Sequence, residues 1–190
     1  MLQMVRKKRL KDEAGNDYAT HSDFCGIFRE HMVRLYLLAF ILTGNERSAE
    51  KCFLDAFESC AQERLVFRDR ALYWSRRSII KTAVRLASPV PPHASGLDLV
   101  GKHTVFDLDQ EISLNCVHKL PPGERFVFVM SVLERYSIRE CAILLGCSDT
   151  DIVAARIRAL RQISKLKKSY PDHSSGAQPY VVDPDWLECG

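Results

Sequence analysis

Long apolar runs are missing from this sequence: nothing approaches the ~20 consecutive apolar residues that a helix needs to cross a bilayer. The first residues are basic, but no apolar stretch suited to a signal peptide follows them, which predicts a cytoplasmic protein with no membrane partner. Cysteine occurs seven times, an odd number, and never as a C-x-x-C pair. Most of these residues sit at apolar helical positions, so they are expected as small core residues in a reducing compartment. Cys116 and His118 make half of a zinc site with no second pair to complete it. Phosphate loops of the G-x-x-x-x-G-K-[ST] form and dinucleotide fingerprints are absent. The histidines His21, His31, His93, His103, His118 and His173 are scattered without ligand or triad spacing. The expectation is a protein that is not an enzyme, with no catalytic residue, no metal and no cofactor. Net charge is only +3 over 190 residues, too mild for a chain that coats nucleic acid throughout, so local charge matters more.

What is present is helical periodicity, clearest from Leu120 to Leu166. Phe126, Val129, Met130 and Leu133 recur at helical spacing behind a Pro121-Pro122-Gly123-Glu124 opening, which predicts a supporting helix. The pattern breaks at Glu134 to Tyr136. Ser137 is then placed to cap a short helix whose inner face is Ile138, Cys141, Ala142 and Leu145. Gly146 permits a tight turn, and Ser148 caps the next helix. Residues 148–168 carry Arg156, Arg158, Arg161, Lys165, Lys167 and Lys168 against Asp149 and Asp151, a net charge of +4. A basic helix presented this way suits the DNA major groove, while the same pattern also describes a solvated helix in an ordinary bundle.

Before this segment the chain shows three further helices. Residues 1–20 open with Arg6, Lys7, Lys8, Arg9 and Lys11 and read as a flexible basic arm, a solvated tail or a phosphate contact. Phe24, Phe28, Met32, Leu35, Ala39 and Leu42 predict one long helix from His21 to Leu42, started by Ser22 or Asp23. A second helix beginning near Ser48 aligns Ala49, Cys52, Phe53, Ala56, Phe57 and Cys60, and the short connection predicts an antiparallel hairpin. A third, Asp69 to Leu86, buries Leu72, Ile79, Ala83 and Leu86 and presents Arg76, Arg77, Lys81 and Arg85. Residues 62–87 total +5, with Tyr73 and Trp74 among the cations. Aromatics interleaved with cations form a platform for single-stranded DNA, and Trp74 also fits a core anchor.

Residues 88–107 break every periodicity and read as a flexible linker, stiffened at first by Pro89, Pro91 and Pro92. An opening helix of the second domain is predicted from Asp109 to Leu120 through Ile112 and Cys116, and 169–190 form a tail with Trp186 and Leu187 as apolar anchors. The fold class is all-α: two small helical domains, 21–87 and 108–168, the second a helix-turn-helix of winged-helix-like kind. No internal repeat is present.

The string Leu120-Pro121-Pro122-Gly123-Glu124-Arg125, followed by Ser137-Ile138-Arg139-Glu140-Cys141-Ala142-Ile143-Leu144-Leu145-Gly146-Cys147-Ser148, resembles the C-terminal DNA-binding domain of RNA polymerase sigma factors of the extracytoplasmic-function type. The family pattern there is LP-x-x-x-R followed by S-x-x-E-A-x-x-L-G-x-S, here with Cys141 added between Glu140 and Ala142. More faintly, Phe24 to Leu42, Leu42-Thr43-Gly44-Asn45, Ala49-Glu50, Phe57 and the helix from Trp74 to Arg85 are similar to the N-terminal domain of that family. The resemblance implies a sigma-region-2-like domain over 21–87, which grips polymerase and melts the −10 element, and a sigma-region-4-like domain over 108–168, which reads the −35 element. It implies core RNA polymerase and promoter DNA as partners and allows an anti-sigma protein. Polymerase binding then falls to Glu50, Lys51, Leu54 and Asp55, where Lys51 replaces an acid and Leu54 a glutamine of the family pattern. Single-strand binding falls to Tyr73, Trp74, Arg76, Arg77, Lys81 and Arg85.

Duplex contact is expected from Arg139, Ser148, Thr150, Val153, Ala154, Arg156, Arg158 and Arg161. On a wheel of about 100° per residue, Ile152, Ala155, Ala159 and Ile163 cluster inward, leaving Arg158 and Arg161 outside as the preferred contacts. Val153 and Ala154 offer only apolar contact, such as a thymine methyl accepts. A one-residue slip would instead turn Val153, Ile157 and Leu160 inward. Three functions therefore remain open: a sigma factor directing polymerase to promoters, a helix-turn-helix transcription regulator that recruits no polymerase, and a sigma-like protein-interaction module without DNA affinity.

Overall fold

The computed structural model describes residues 17–63, 65–89, 91 and 114–169. The arm before Asp17, nearly all of the linker, Arg64, Ile112, the side chains of Lys167 and Lys168, and the tail with Trp186 and Leu187 lie outside the described residues. Every regular element among the described residues is helical, and one isolated antiparallel bridge joins Tyr18 to Phe67. No wing strands accompany the helix-turn-helix among them. Two compact units divide the chain: Met1–Phe40 with Glu46–Thr82, and Ile41–Asn45 with Ala83–Gly190. No described helix is long and apolar enough to cross a membrane.

The first unit is built from α1 (His21–Glu30), α2 (Met32–Thr43) as far as Phe40, α3 (Glu46–Gln62), a 3-10 turn at Arg68–Arg70 and α4 (Ala71–Ala87) as far as Thr82, the ends of α2 and α4 belonging to the second unit. The cap of α1 is Thr20, not Ser22 or Asp23. The Thr20 hydroxyl accepts from the Asp23 N–H, and the Asp23 carboxylate accepts from the Thr20 N–H at 2.7 Å, a reciprocal box that satisfies two orphan donors. These bonds favour the ionised carboxylate and hold the Asp23 pKa below its usual value.

The expected single helix over His21–Leu42 is two, broken at His31, whose φ of −103° and ψ of 19° leave the helical region. The break changes the phase of the apolar stripe. Leu35, Ala39 and Leu42 remain buried, but Met32 turns outward and is 55% exposed.

In α3, Ala49, Cys52, Ala56 and Cys60 are fully buried, whereas Phe53 and Phe57 stay half-buried and meet Phe28 of α1 edge-on at 5.2 and 5.1 Å. Small residues bring α3 close to α4. The Cys52 thiol donates to the Ile79 carbonyl at 3.4 Å and the Ser78 hydroxyl to the Ala56 carbonyl at 3.2 Å. The inner face of α4 therefore runs through Ala71, Ser75, Ser78, Ile79 and Thr82, while Leu72 and Leu86, expected in the core, are only half-buried. Serine buries cheaply there because its hydroxyl bonds a helical carbonyl, as Ser75 does with Ala71 at 2.9 Å.

The second unit contains α5 (Leu114–His118), α6 (Pro122–Phe128) prolonged by a π turn at Val129–Leu133, α7 (Ile138–Leu145) and α8 (Asp149–Ser169). Pro122 suits the first turn of α6, where its missing N–H would have had no helical partner. All residues from Gly123 to Ser131 are buried, so α6 is the central helix of this unit and not the one-sided support its periodicity suggests. Arg125 from this buried segment donates to the His118 and Leu42 carbonyls, both at 3.3 Å. The Leu42 bond ties the 41–45 turn to α6 inside this unit.

Candidate nucleic-acid interface

The helix-turn-helix is assembled by three local devices. Arg135 adopts a left-handed φ of 55° after the π turn, which ends the supporting helix. Ser137 then caps α7 in a reciprocal box with Glu140, the Ser137 N–H donating to the carboxylate at 2.9 Å. At the other end Gly146 takes φ 65°, ψ 35°, and the Cys147 N–H returns to the Ala142 carbonyl at 3.1 Å, the closure of a Schellman turn. Ser148 opens α8 by the same reciprocity with Asp151: the Ser148 N–H and hydroxyl donate to one carboxylate oxygen at 3.2 and 2.6 Å, and the Asp151 N–H returns to the hydroxyl at 3.1 Å. The turn between the two helices is thus fixed from both sides.

Along α8, Ile152, Ala155, Ala159 and Ile163 are fully buried, so the helix adopts the first of the two possible registers. Val153, Ile157 and Leu160 are only partly covered. Thr150 and Arg161 are exposed, and Arg156 is half-buried. Arg139, exposed on α7, pairs with Asp149 at 3.3 Å. The Ser148 hydroxyl lies 2.8 Å from that of Thr150 in addition to serving the cap.

Two expected contacts are corrected. Ala154 is fully buried, because α8 packs against α5, α6 and α7 and its early turns are covered from more than one side. Arg158 does not face outward. Its Nε lies 2.9 Å from Oε1 of Glu124, with side-chain exposures of 19% and 5%, so the guanidinium neutralises a buried carboxylate of α6. Among the described side chains of α8, Arg161 and Lys165 are the exposed cations, with Arg156 half-buried.

The aromatics and cations expected as a single-strand platform lie along α4. Tyr73 is 46% exposed and receives a long hydrogen bond of 3.5 Å from Arg77 Nη1. Trp74 is half-buried, with Lys81 Nζ 5.3 Å from its ring centroid in a cation–π contact. Arg76 is half-buried like Arg77, and Lys81 and Arg85 are exposed, Arg85 falling within the second unit. Sequence reasoning missed a second aromatic pair. Tyr18 and Phe67 stack at 4.9 Å with their planes 21° apart, 36% and 52% exposed, beside exposed Leu65, Arg68 and Arg70. Their two segments are held by Ala19 N–H to the Val66 carbonyl at 2.6 Å and Arg68 N–H to the Asp17 carbonyl at 2.8 Å. A pairing across 49 positions leaves no periodic trace.

On α3, Glu50, Lys51 and Leu54 are exposed and Asp55 is half-buried, all on one outer side. Burial holds Cys147 above the usual thiol pKa and pushes Cys141 up to about 11, which favours the protonated thiol at both positions. No group of three or more His, Cys, Asp or Glu among the described residues is placed to hold a metal ion.

Residues 111–163 match the family model of sigma-70, region 4. This stretch is sigma-factor-like: it is similar to a family of helix-turn-helix domains that bind DNA. No curated protein and no solved structure matches the chain.

Proposed function

We propose that the chain is a sigma factor of the extracytoplasmic-function type, acting in the cytoplasm to direct core RNA polymerase to promoters. The observation that carries this reading is the match of residues 111–163 to sigma-70 region 4, coinciding with a capped helix-turn-helix of the appropriate geometry. In this reading residues 108–168 engage the duplex −35 element through α8, with Arg139, Thr150, Val153, Arg156 and Arg161 toward DNA. Residues 21–87 act as the region-2-like domain. Its exposed aromatics Tyr73 and Phe67, with Tyr18 just ahead of the domain stacked on Phe67, lie among cations suited to a melted −10 strand. Glu50, Lys51, Leu54 and Asp55 on the outer side of α3 form the polymerase-docking face, and an anti-sigma protein would compete for such a surface.

A second reading is favoured by one observation on α3. Lys51 and Leu54 are exposed where the family pattern has an acid and a glutamine, and a reversed charge at a docking face costs several kcal/mol when like charges meet. On that reading the helix-turn-helix binds DNA without polymerase. A pull-down of core RNA polymerase by the full chain at low ionic strength, followed by promoter-dependent transcription, separates the two. A complex that initiates transcription supports the sigma factor; DNA binding without a complex supports the regulator; neither points to a protein-interaction module.

A further inference from the structure

The outward side of α8 over its first turns carries Thr150, Val153, Ile157 and Arg161, which fall within about 80° of one another on the helix. Thr150 and Arg161 are exposed, and Val153 and Ile157 are partly exposed. Arg158, the guanidinium best placed by sequence to fork onto a guanine, is held by Glu124, and Ala154 is buried. Ahead of Arg161 this face therefore has no guanidinium, amide or carboxylate to pair with a base edge. The Thr150 hydroxyl already lies 2.8 Å from that of Ser148. Two branched apolar side chains, Val153 and Ile157, occupy the middle of the face one helical turn apart.

We propose that α8 reads duplex DNA through thymine methyl groups, with Val153 and Ile157 as the specificity-determining side chains and the cations gripping phosphate. This inference rests on the reading of α8 as the duplex-binding helix. In the major groove every base pair presents donors and acceptors that an aliphatic side chain would desolvate, but only thymine adds an apolar group, its 5-methyl, whose contact offsets that cost. An apolar face therefore accepts A·T pairs and penalises G·C pairs beneath it. The flanking charge fits the same occupant. Arg156, Arg161 and Lys165 on the same helix add positive charge suited to phosphates, and a purely apolar protein partner would gain nothing from them.

The test uses the full chain. Duplexes are selected from a randomised pool, and affinity is measured by fluorescence anisotropy on the selected duplex and on the same duplex with thymine replaced by uracil, which removes only the methyl groups. The expected result is a loss of about fourfold per buried methyl, corresponding to about 0.8 kcal/mol each. The loss should vanish in the Val153→Ala/Ile157→Ala double variant, which binds both duplexes alike. The uracil comparison leaves the protein untouched, so it stands whatever the variant does to folding. Equal affinity for the two duplexes, or a selected site anchored on guanine beneath α8, overturns methyl readout while leaving salt-dependent duplex binding intact. Absence of any duplex binding overturns both this inference and the reading beneath it.

Discussion

Arg158 and Glu124, 34 positions apart, meet at 2.9 Å between Nε and Oε1 and tie the recognition helix to the buried helix α6. The pair explains how a carboxylate can lie in the centre of the second unit, and it removes from the outward side of α8 the arginine that the helical wheel favours.

Breaking this pair leaves a charge of α6 in a poorly hydrated place. Arg158→Ala should destabilise the second unit by on the order of 3 kcal/mol, while Glu124→Met combined with Arg158→Leu should come close to wild type, because removing both charges together leaves neither stranded. Urea unfolding of the three proteins checks this. A stable Arg158→Ala variant with specifically weakened duplex binding would return Arg158 to the DNA interface.

Gly44 and Gly146 both require the left-handed region, with φ of 83° and 65°, and alanine there costs about 1 to 2 kcal/mol. Their surroundings differ. A Cβ at Gly146 meets open space, whereas one at Gly44 would lie 3.0 Å from Nη2 of Arg125, which is fixed by its bonds to two carbonyls. Gly44→Ala should therefore lower the thermal midpoint more than Gly146→Ala does. The reverse order would mean that Arg125 yields without loss.

Much of the helix-turn-helix was legible because its signals are local: Ser137, Gly146 and Ser148 act on residues no more than a few positions away, and each sits where its type predicts. The inward stripe Ile152, Ala155, Ala159 and Ile163 followed from periodicity alone. What one helix cannot report is its neighbours. Ala154 lies far from that stripe on the wheel and is nonetheless buried, because more than one helix packs on α8, and Arg158 met an acid whose position depends on the fold of α6. The break at His31 has no proline or glycine to mark it, so Met32 was assigned to the wrong side. The Tyr18–Phe67 pair depends on a bridge between distant segments, which no local pattern announces.

Alkaline pH should weaken the fold through Cys141. Its folded pKa, about 11, exceeds the ordinary thiol value of 9.0 because burial disfavours the thiolate. The folded state thus holds its proton more tightly than the unfolded chain. This contribution is fully present below pH about 9 and is lost as pH rises toward about 11. Cys141→Ala should flatten that alkaline decline in chemical-denaturation experiments, and an unchanged slope would show that Cys141 titrates normally. At neutral pH the same thiol should resist iodoacetamide in the folded protein.

Exposed aromatics in the first unit should matter to single strands and little to folding. Phe67→Ala should weaken binding of a −10-like oligonucleotide by about 1 to 3 kcal/mol if one base stacks there, with duplex binding retained. Tyr73→Ala should act in the same direction. Loss of folding cooperativity together with all DNA binding would instead make these rings structural.

The most direct measurement is fluorescence anisotropy of the full chain on a promoter-length duplex across a salt series, for wild type and Arg161→Ala. Arg161 is exposed on the outward side of α8, so its removal leaves the core untouched. If α8 lies against DNA, binding weakens and the magnitude of the salt slope falls by about 1, one phosphate contact having been lost. A folded Arg161→Ala protein with unchanged affinity and unchanged slope would contradict the placement of this helix on DNA.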